Sequence, residues 1–281
     1  MIKAIDAHIH LDKYDEPFHL TDMNSEAVTL QAAQLVKGLA TSPIKALIAV
    51  SMNQRSCLTV RRLQQQFPKQ VFAAYGYHPE QELPSEAELN WICDFIRANR
   101  QEIVAIGEVG LPYYKRTEAE QTGQAFTIEP YCQLLEQFIQ LSKEVNKPIV
   151  MHAVYEDADI ACDLLEKHQV SAAHFHWFKG SDSTITRMIR NGYRVSITPD
   201  VLYEEEIQAL VSKYPLELLM AETDGPWPFE GPFSGLMTHP RMVIDVIQRI
   251  AELKGLSIDE TARTIFANTQ QFYQLPWDGQ E

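Results

Sequence analysis

Two histidines stand one residue apart at the end of the first apolar run, in Asp6-Ala7-His8-Ile9-His10. Side chains two positions apart in a β-strand point to the same face, so His8 and His10 can bind one metal ion together. Asp6 is in phase with them but deeper in the strand, where it would orient a ligand or pack behind the ligands. On its own this pair is a weak signal, and it needs support from elsewhere in the chain.

That support comes from four further residues of metal-ligand type, each at or just beyond the end of a short apolar run. They are Glu108, His152, His176 and Asp224. Four imidazoles and two carboxylates suit Zn²⁺ or Mn²⁺, and carboxylates also admit Mg²⁺. We therefore expect two divalent metal ions, with Glu108 as the bridge if the ions lie close together. Two ions can activate water and polarise the attacked group, and Asp224 is also a candidate general base on that water.

The runs that precede these residues belong to a longer series of short apolar segments. The series is Ile2–Ala7, Ile44–Val50, Val71–Gly76, Ile103–Gly107, Ile149–Met151, Ala172–Phe175, Gly192–Ile197 and Leu216–Ala221. They are continuously apolar rather than alternating, as in parallel strands that are covered on both faces.

Helical patterns separate these strands, which predicts an α/β fold: a single TIM-type (β/α)8 barrel spanning residues 1–281. All the candidate ligands then lie at the C-terminal ends of strands, where barrels of this type assemble their sites. The alternative is an open doubly wound sheet, but no Gly-X-Gly-X-X-Gly follows the first strand.

Local signals mark several of the intervening helices and loops. Ser85-Glu86-Ala87-Glu88 predicts a capped helix start, and Tyr131 to Asn146 has apolar residues at helical spacing before Pro148. The longer stretches that we interpret as irregular are Pro112–Glu129 and Gly225–Pro240. Each directly follows a strand end with a candidate ligand, and long loops at such places are often functional.

Composition narrows the class of protein and of partner. The chain has 281 residues, and its four cysteines form no Cys-X-X-Cys pair. With neither a signal-peptide pattern nor a long apolar stretch, we expect a cytoplasmic protein without membrane contact. The net charge of −14 argues against tight binding of duplex DNA, while a small molecule or a single-stranded DNA end stays open as substrate. A barrel buries its core without a partner, so a monomer or weak oligomer is expected.

Five short motifs occur in order along the chain. They are Asp6-Ala7-His8-Ile9-His10-Leu11-Asp12, Gly76-Tyr77-His78-Pro79, Ile106-Gly107-Glu108-Val109-Gly110-Leu111, His176-Trp177-Phe178-Lys179-Gly180 and Glu222-Thr223-Asp224-Gly225-Pro226. Together they resemble the successive signatures of the TatD family, and the resemblance continues to Asn268. That family comprises metal-dependent hydrolases of the amidohydrolase superfamily, often described as deoxyribonucleases.

The resemblance also implies a role for each residue. His8 and His10 would bind the first ion with Asp224 capping it, His152 and His176 would bind the second, Glu108 would bridge both, and His78 would contact the phosphate or leaving group. The aromatic and glycine residues that follow His176 select it over His174. The resemblance is incomplete at three places: Pro112 replaces a usual aspartate, Val154 replaces a usual arginine, and Gly235–Pro240 replaces a segment with Asn-Glu-Pro.

Three functions therefore compete. The leading one is hydrolysis of phosphodiester bonds of DNA, with trimming of single-stranded ends as its specific form and with Asp224 and His78 as catalytic residues. The alternative is hydrolysis of a small carboxylic ester, lactone or amide by the same metals, which the missing arginine and asparagine favour. A non-catalytic metal-binding module is the third, and the complete ligand set argues against it.

Some residues near the predicted site have either a structural or a functional explanation. Asp6, Glu222, Trp177 and His239 are candidates for contacts behind the ligands or with substrate. Trp177, Trp227, Phe229 and Phe233 stand in predicted loops after strand ends, where aromatic rings would stack on a base or pack the loop.

Overall fold

The computed structural model describes residues 2–15 and 31–276. Its strands are β1 (Ala4–Ile9), β2 (Ile44–Val50), β3 (Val71–Tyr75), β4 (Ala105–Gly110), β5 (Ile149–His152), β6 (Ala173–Phe175), β7 (Arg194–Ile197) and β8 (Leu219–Ala221). Each of the predicted runs overlaps one of these strands. The ends differ where polar residues continue an apolar strand: β1 includes His8, and β4 includes Glu108.

The strands form one parallel sheet in the order in which they occur along the chain, from β1 to β8. The register pairs Ala4 of β1 with Ile44 of β2, and Ile149 of β5 with Ala173 of β6. Sequential order with a helix after each strand is the topology of a (β/α)8 barrel, whereas a doubly wound sheet reverses its strand order. The predicted fold class is therefore confirmed.

The α-helices connect these strands. They are α1 (Ala32–Gly38), α2 (Gln54–Gln66), α3 (Glu86–Ala98), α4 (Tyr113–Gln121), α5 (Glu129–Val145), α6 (Glu156–Lys167), α7 (Asp182–Asn191), α8 (Glu205–Lys213), α9 (Val243–Lys254) and α10 (Ile258–Tyr273). The predicted cap of α3 is present, since the Ser85 side chain accepts a hydrogen bond from the Glu88 N–H. Asn146 ends α5 in the left-handed conformation.

The interpretation of Pro112–Glu129 as an irregular stretch is wrong, because α4 lies within it. No residue of α4 is buried, so the helix has no apolar stripe that a sequence pattern could reveal. Polar contacts hold it instead: Arg116 Nη2 lies 2.8 Å from the buried carboxylate of Asp157 and 3.0 Å from Glu156. The stretch Gly225–Pro240 was predicted correctly, with only the short 3-10 turn Gly231–Phe233 inside it and another that begins at Pro240.

Contacts divide the chain into two compact units. The first unit comprises the described residues of 1–50, 59–73 and 196–281, and the second unit comprises 51–58 and 74–195. The boundaries between them fall at the end of β2 and inside α2, β3 and β7. The single domain over 1–281 stays a prediction.

The core of the first unit lies where α9 and α10 cover β1 and β8. Val243, Val246, Ile247 and Ile250 of α9 are all buried, as their helical spacing predicted. From α10, the side chain of Asn268 donates hydrogen bonds to the carbonyl oxygens of Leu216 at 2.7 Å and Leu219 at 2.8 Å. The helix thereby fixes the start of β8, which leads into the candidate ligand Asp224.

The core of the second unit lies between its strands and the helices that follow them. The residues Leu134, Leu135, Phe138 and Leu141 form the buried stripe of α5. No disulfide links any of the four cysteines, which lie in α2, α3, α5 and α6. A search of the described helices finds none with the length and apolar character that a membrane crossing requires.

We predict that Asn268→Ala destabilises the protein because it removes two hydrogen bonds from buried carbonyl groups. The expected loss in the free energy of unfolding is about 2–3 kcal/mol. Urea denaturation measures it, with Gln271→Ala on the exposed face of the same helix as control. Equal midpoints for the two variants would contradict this role of Asn268.

Candidate metal centre

The first unit brings three predicted ligands together, and we name them the first cluster: His8, His10 and Asp224. The Nε2 atoms of His8 and His10 lie 3.4 Å apart. Asp224 Oδ1 lies 3.3 Å from His8 Nε2 and 3.4 Å from His10 Nε2. All three side chains are almost completely buried. Two nitrogen atoms and one carboxylate oxygen thus converge on one point from β1 and from the segment after β8.

The spacing within the first cluster suits a metal ion. Ligand atoms about 2.0–2.2 Å from a tetrahedral ion lie about 3.3–3.6 Å from one another. The three separations of 3.3, 3.4 and 3.4 Å fall in that range. Nitrogen and carboxylate oxygen are also the donor types that Zn²⁺ and Mn²⁺ accept. The first cluster therefore fits a divalent cation in both geometry and chemistry.

The position of Asp224 relative to β1 is set by backbone and side-chain hydrogen bonds. The Asp224 N–H donates to the His8 carbonyl at 3.0 Å, and the His10 N–H donates to the Gly225 carbonyl at 2.8 Å. A Cβ atom on Gly225 would lie only 2.0 Å from the Tyr14 hydroxyl oxygen, so this position requires glycine. The backbone thus holds both sides of the first cluster in place before any ion binds.

Asp6 lies behind the first cluster and connects its two sides. Its carboxylate accepts hydrogen bonds from the Thr223 N–H at 3.0 Å, the Thr223 hydroxyl at 2.5 Å and the His8 N–H at 3.4 Å. Complete burial raises the pKa of Asp6 to about 7, although these hydrogen bonds act in the opposite direction. These contacts agree with a positioning role for Asp6, which stays a prediction.

The second unit assembles what we name the second cluster: Glu108, His152, His176 and His78. One oxygen of the buried Glu108, Oε1, lies 3.0 Å from His152 Nδ1, 2.6 Å from His176 Nε2 and 3.2 Å from His78 Nε2. His152 Nδ1 and His176 Nε2 are 3.2 Å apart. His78, Glu108 and His152 form a group whose side chains are able to hold a metal ion. Three separate strand ends, those of β4, β5 and β6, and the loop after β3 supply these residues.

Close backbone approaches bring these strand ends together. A Cβ atom on Gly76 would lie 2.7 Å from the Glu108 carbonyl oxygen. A Cβ atom on Gly110 would lie 1.9 Å from the His152 carbonyl oxygen. Any larger residue at either glycine would push apart the segments that carry Glu108, His78 and His152.

His152 lies between two carboxylates. Its Nδ1 faces Glu108, and its Nε2 lies 3.3 Å from Glu80 Oε1. Burial alone would lower the pKa of His152, but the hydrogen bonds and charges of Glu108 and Glu80 outweigh it and raise this pKa to about 9. Burial also opposes ionisation of Glu80, yet His152 and two backbone N–H groups hold the pKa of that carboxyl below its ordinary value.

The remaining predicted residues have varied surroundings. Glu222 is completely buried and accepts a hydrogen bond from the Ser196 hydroxyl at 2.5 Å. His239 accepts a hydrogen bond from the Arg241 N–H at 3.1 Å, so its ring caps a 3-10 turn. Trp177 is half-buried and directly follows His176, with a left-handed φ of 38°. The roles of all three toward a substrate stay predictions.

The aromatic residues that follow β8 divide into two kinds. Phe229 and Phe233 are buried and pack the loop. Trp227 is partly exposed, and its ring meets the ring of His10 edge to face at 6.1 Å. His174 is completely buried within β6, as expected for a strand residue.

Sequence reasoning missed three residues that contact the candidate ligands or Asp6 and Glu222. They are Glu80, Ser196 and Thr223. Thr223 stands between two candidates in the sequence, which is a usable signal. Glu80 has no such signal, because its partners His152 and α4 are distant in the chain.

The chain is similar to known proteins over nearly all of its length. The family model described as TatD related DNase matches residues 5–274. An uncharacterized metal-dependent hydrolase from Haemophilus influenzae is 37% identical, with 96% of this chain and 99% of that protein covered. The human deoxyribonuclease TATDN3 is 27% identical, with 97% and 95% covered. The crystal structure of YJJV, a TatD homologue from Escherichia coli, aligns with a TM-score of 0.80 at 23% identity, covering 97% of this chain and 98% of that one.

We predict that the metal-free protein loses stability as the pH rises from about 6.5 to 9. The folded state raises the pKa of His152 from 6.5 to about 9, so it favours the protonated ring. This contribution is fully present below pH 6.5 and disappears as the pH passes through the folded pKa. Thermal unfolding after removal of metal with a chelator measures the effect.

The same measurement on His152→Gln should show a flatter dependence of Tm on pH over this range. His168→Gln is the control, because His168 pairs with Glu136 on α5 in the same unit, away from the candidate ligands. If the wild-type protein and both variants change in parallel with pH, His152 is not the group responsible.

Proposed function

The chain belongs to the TatD family of metal-dependent hydrolases, and from this premise we propose that it hydrolyses phosphodiester bonds at the ends of single-stranded DNA. The observation that carries this proposal is that each unit gathers its own buried set of imidazole and carboxylate groups. The relative named as a human deoxyribonuclease supports DNA as the substrate.

Two divalent ions would be held by residues already in place. His8, His10 and Asp224 would hold one ion, and Glu108, His152 and His176 would hold the other. The bridging role of Glu108 stays the prediction that the family resemblance implies. When bound, such ions lower the pKa of water and neutralise negative charge on a phosphoryl group.

Asp224 is the proposed general base. Its Oδ1 atom lies among the imidazole nitrogens of the first cluster, and its side chain is almost completely buried. A carboxylate held there can accept a proton from the attacking water. The backbone of Asp224 has a left-handed φ of 49°, and its N–H group donates a hydrogen bond to the His8 carbonyl at 3.0 Å.

His78 is the proposed proton donor to the leaving oxygen. Its Nδ1 accepts a hydrogen bond from the Glu80 N–H at 3.2 Å, so the proton of the neutral ring is held on Nε2. That Nε2 atom faces the second cluster at 3.2 Å from Glu108. A donor in this position can protonate an oxygen as its bond to phosphorus breaks.

The proposed substrate is a strand end rather than a long duplex. The net charge of −14 disfavours contact with many phosphates at once. Trp227 and Trp177 are partly exposed beside candidate ligands, and we propose that they stack on unpaired bases. Each ring would recognise any base, which suits an enzyme that shortens strands without sequence preference.

Hydrolysis of a small carboxylic ester, lactone or amide is the second candidate function. It is favoured because the two cations of α4 are already paired with carboxylates. Lys115 lies 2.5 Å from Glu82, and Arg116 contacts Asp157, Glu156 and Glu120. Val154 adds no charge and is buried. A substrate panel of lactones, acylated amino acids and phosphodiesters separates the two candidates, since one class alone should show metal-dependent turnover.

We predict that Asp224→Asn lowers the rate of DNA cleavage at least about 100-fold while metal stays bound, because an amide cannot accept the proton. The measurement is a time course on end-labelled single-stranded DNA. The protein is first stripped of metal and then supplied with Mg²⁺, Mn²⁺ or Zn²⁺, and bound metal is counted for each sample.

Asp245→Asn is the matched control, because it makes the same chemical change at an exposed position of α9. An unchanged rate for Asp224→Asn would refute the role of general base. A wild-type protein that binds metal but leaves DNA intact would refute the phosphodiesterase and favour the second candidate function.

A further inference from the structure

Glu80 has contacts with both a candidate metal ligand and a helix, although no role has been assigned to it. It follows His78 by two residues in the loop after β3. Its Oε1 atom lies 3.3 Å from His152 Nε2 and accepts a hydrogen bond from the Tyr114 N–H at 2.9 Å. Its Oε2 atom accepts one from the Lys115 N–H at 2.7 Å. Both carboxylate oxygens of Glu80 therefore have hydrogen-bond partners, and all of these partners belong to the second unit.

We propose that Glu80 is a positioning residue for metal binding at the second cluster, and that it acts by fixing which nitrogen of His152 is available to the ion. The proposal rests on the proposed metal-binding role of that cluster. It does not depend on the identity of the substrate.

The two ring nitrogens of His152 face different partners. Nδ1 lies 3.0 Å from Glu108 Oε1 and 3.2 Å from His176 Nε2, so it points into the cluster. Nε2 points away from it, toward Glu80. A neutral imidazole carries one proton, and only the nitrogen without it can bind a metal ion. A carboxylate only accepts hydrogen bonds, so Glu80 retains the proton on Nε2 and leaves the Nδ1 lone pair for the ion.

The carboxylate of Glu80 is itself held at the start of α4. The Tyr114 and Lys115 N–H groups belong to the first turn of that helix, where unpaired N–H groups and the helix dipole favour a negative charge. The salt bridge from Arg116 to Asp157 fixes the same helix to α6. This explains why a helix without any buried residue is present at this place: α4 anchors the carboxylate that orients His152.

Glu80 also contributes to the orientation of a second histidine, His78, which lies in the same loop. Its backbone N–H donates to His78 Nδ1 at 3.2 Å. The loop itself is fixed by Gln81, whose side chain donates to the Met52 carbonyl at 2.7 Å and the His78 carbonyl at 3.1 Å. Substitution of the Glu80 side chain leaves these backbone contacts available, so its effect should concentrate on His152.

Glu80→Gln tests the proposal, because glutamine has one acceptor oxygen where glutamate has two. If that oxygen serves the Lys115 N–H, the amide NH₂ faces His152 Nε2 and favours the wrong tautomer. If it serves His152, the NH₂ faces the Lys115 N–H as a second donor. We expect the affinity for the second Zn²⁺ ion to fall about 10–100-fold, with the first unchanged, as is typical when a carboxylate behind a histidine ligand is lost. Competition with a chelator and the count of Zn²⁺ per chain measure both.

Two control variants separate positioning from a merely structural effect. Glu82→Gln removes a carboxylate two residues away that pairs with Lys115 on the same helix but contacts no histidine in the described structure. Arg116→Gln loosens α4 from Asp157 without altering the Glu80 carboxylate. Glu82→Gln should bind two Zn²⁺ ions as the wild-type protein does, whatever its Tm. Arg116→Gln should weaken the second ion less than Glu80→Gln does, because the carboxylate that faces His152 is still present.

The ring nitrogens of His152 provide a second readout that stability alone does not change. In the Zn²⁺-loaded wild-type protein, ¹⁵N chemical shifts should show a proton on Nε2 and metal on Nδ1, and Glu80→Gln should lose that pattern. The proposal is overturned if Glu80→Gln binds both ions with wild-type affinity, or if Arg116→Gln weakens the second ion equally. It is also overturned if the wild-type protein holds fewer than two ions. Because no DNA is present, an absence of nuclease activity would refute the proposed function and leave this proposal standing.

Discussion

A completely buried carboxylate surrounded by imidazoles is the constraint on which the second unit depends. Glu108 Oε1 lies within 3.2 Å of nitrogens from His152, His176 and His78. An isolated buried charge costs several kcal/mol, so the folded chain must bring compensating groups to it from other strands. The glycines at Gly76 and Gly110 permit the close backbone approach that this requires. A bound cation would compensate the same buried charge. Residues arranged in this way can therefore form both a stable interior and a metal site.

The first unit meets the same constraint with different groups. There Asp6 accepts hydrogen bonds from Thr223 and from the His8 N–H, and the backbone joins Asp224 to His8. The burial of Asp6 raises its pKa, so this carboxylate tolerates loss of charge, whereas His152 and two backbone N–H groups hold the pKa of Glu80 below its ordinary value. Both carboxylates lie behind candidate ligands, and their partners decide the outcome: the partners of Glu80 outweigh its burial, whereas those of Asp6 do not.

The sequence predicted most of the fold and most of the candidate ligands for one reason: both depend on local pattern. Continuous apolar runs marked the strands, and residues such as His152 or His176 stood where those runs ended. Strand ends were less certain, because β4 continues through polar Glu108. The contacts that the sequence did not predict are those between residues far apart in the chain. Helix α4 has no apolar stripe, and its N–H groups are satisfied by Glu80, which lies 34 residues before Tyr114. No local pattern contains that information.

The same long-range contacts affect how a phosphate would be bound. Helix α4 carries two cations, Lys115 and Arg116, but both are paired with carboxylates. Moving either toward a phosphate would expose a carboxylate that it neutralises, and for Arg116 the partner Asp157 is completely buried. Breaking a buried pair of this kind costs about 3–5 kcal/mol. The proposed phosphodiester substrate would therefore depend on the metal ions, on His78 and on stacking of its bases rather than on these two side chains. Short, unpaired strand ends meet that requirement better than a duplex, whose bases are stacked on one another and whose affinity depends on many cations.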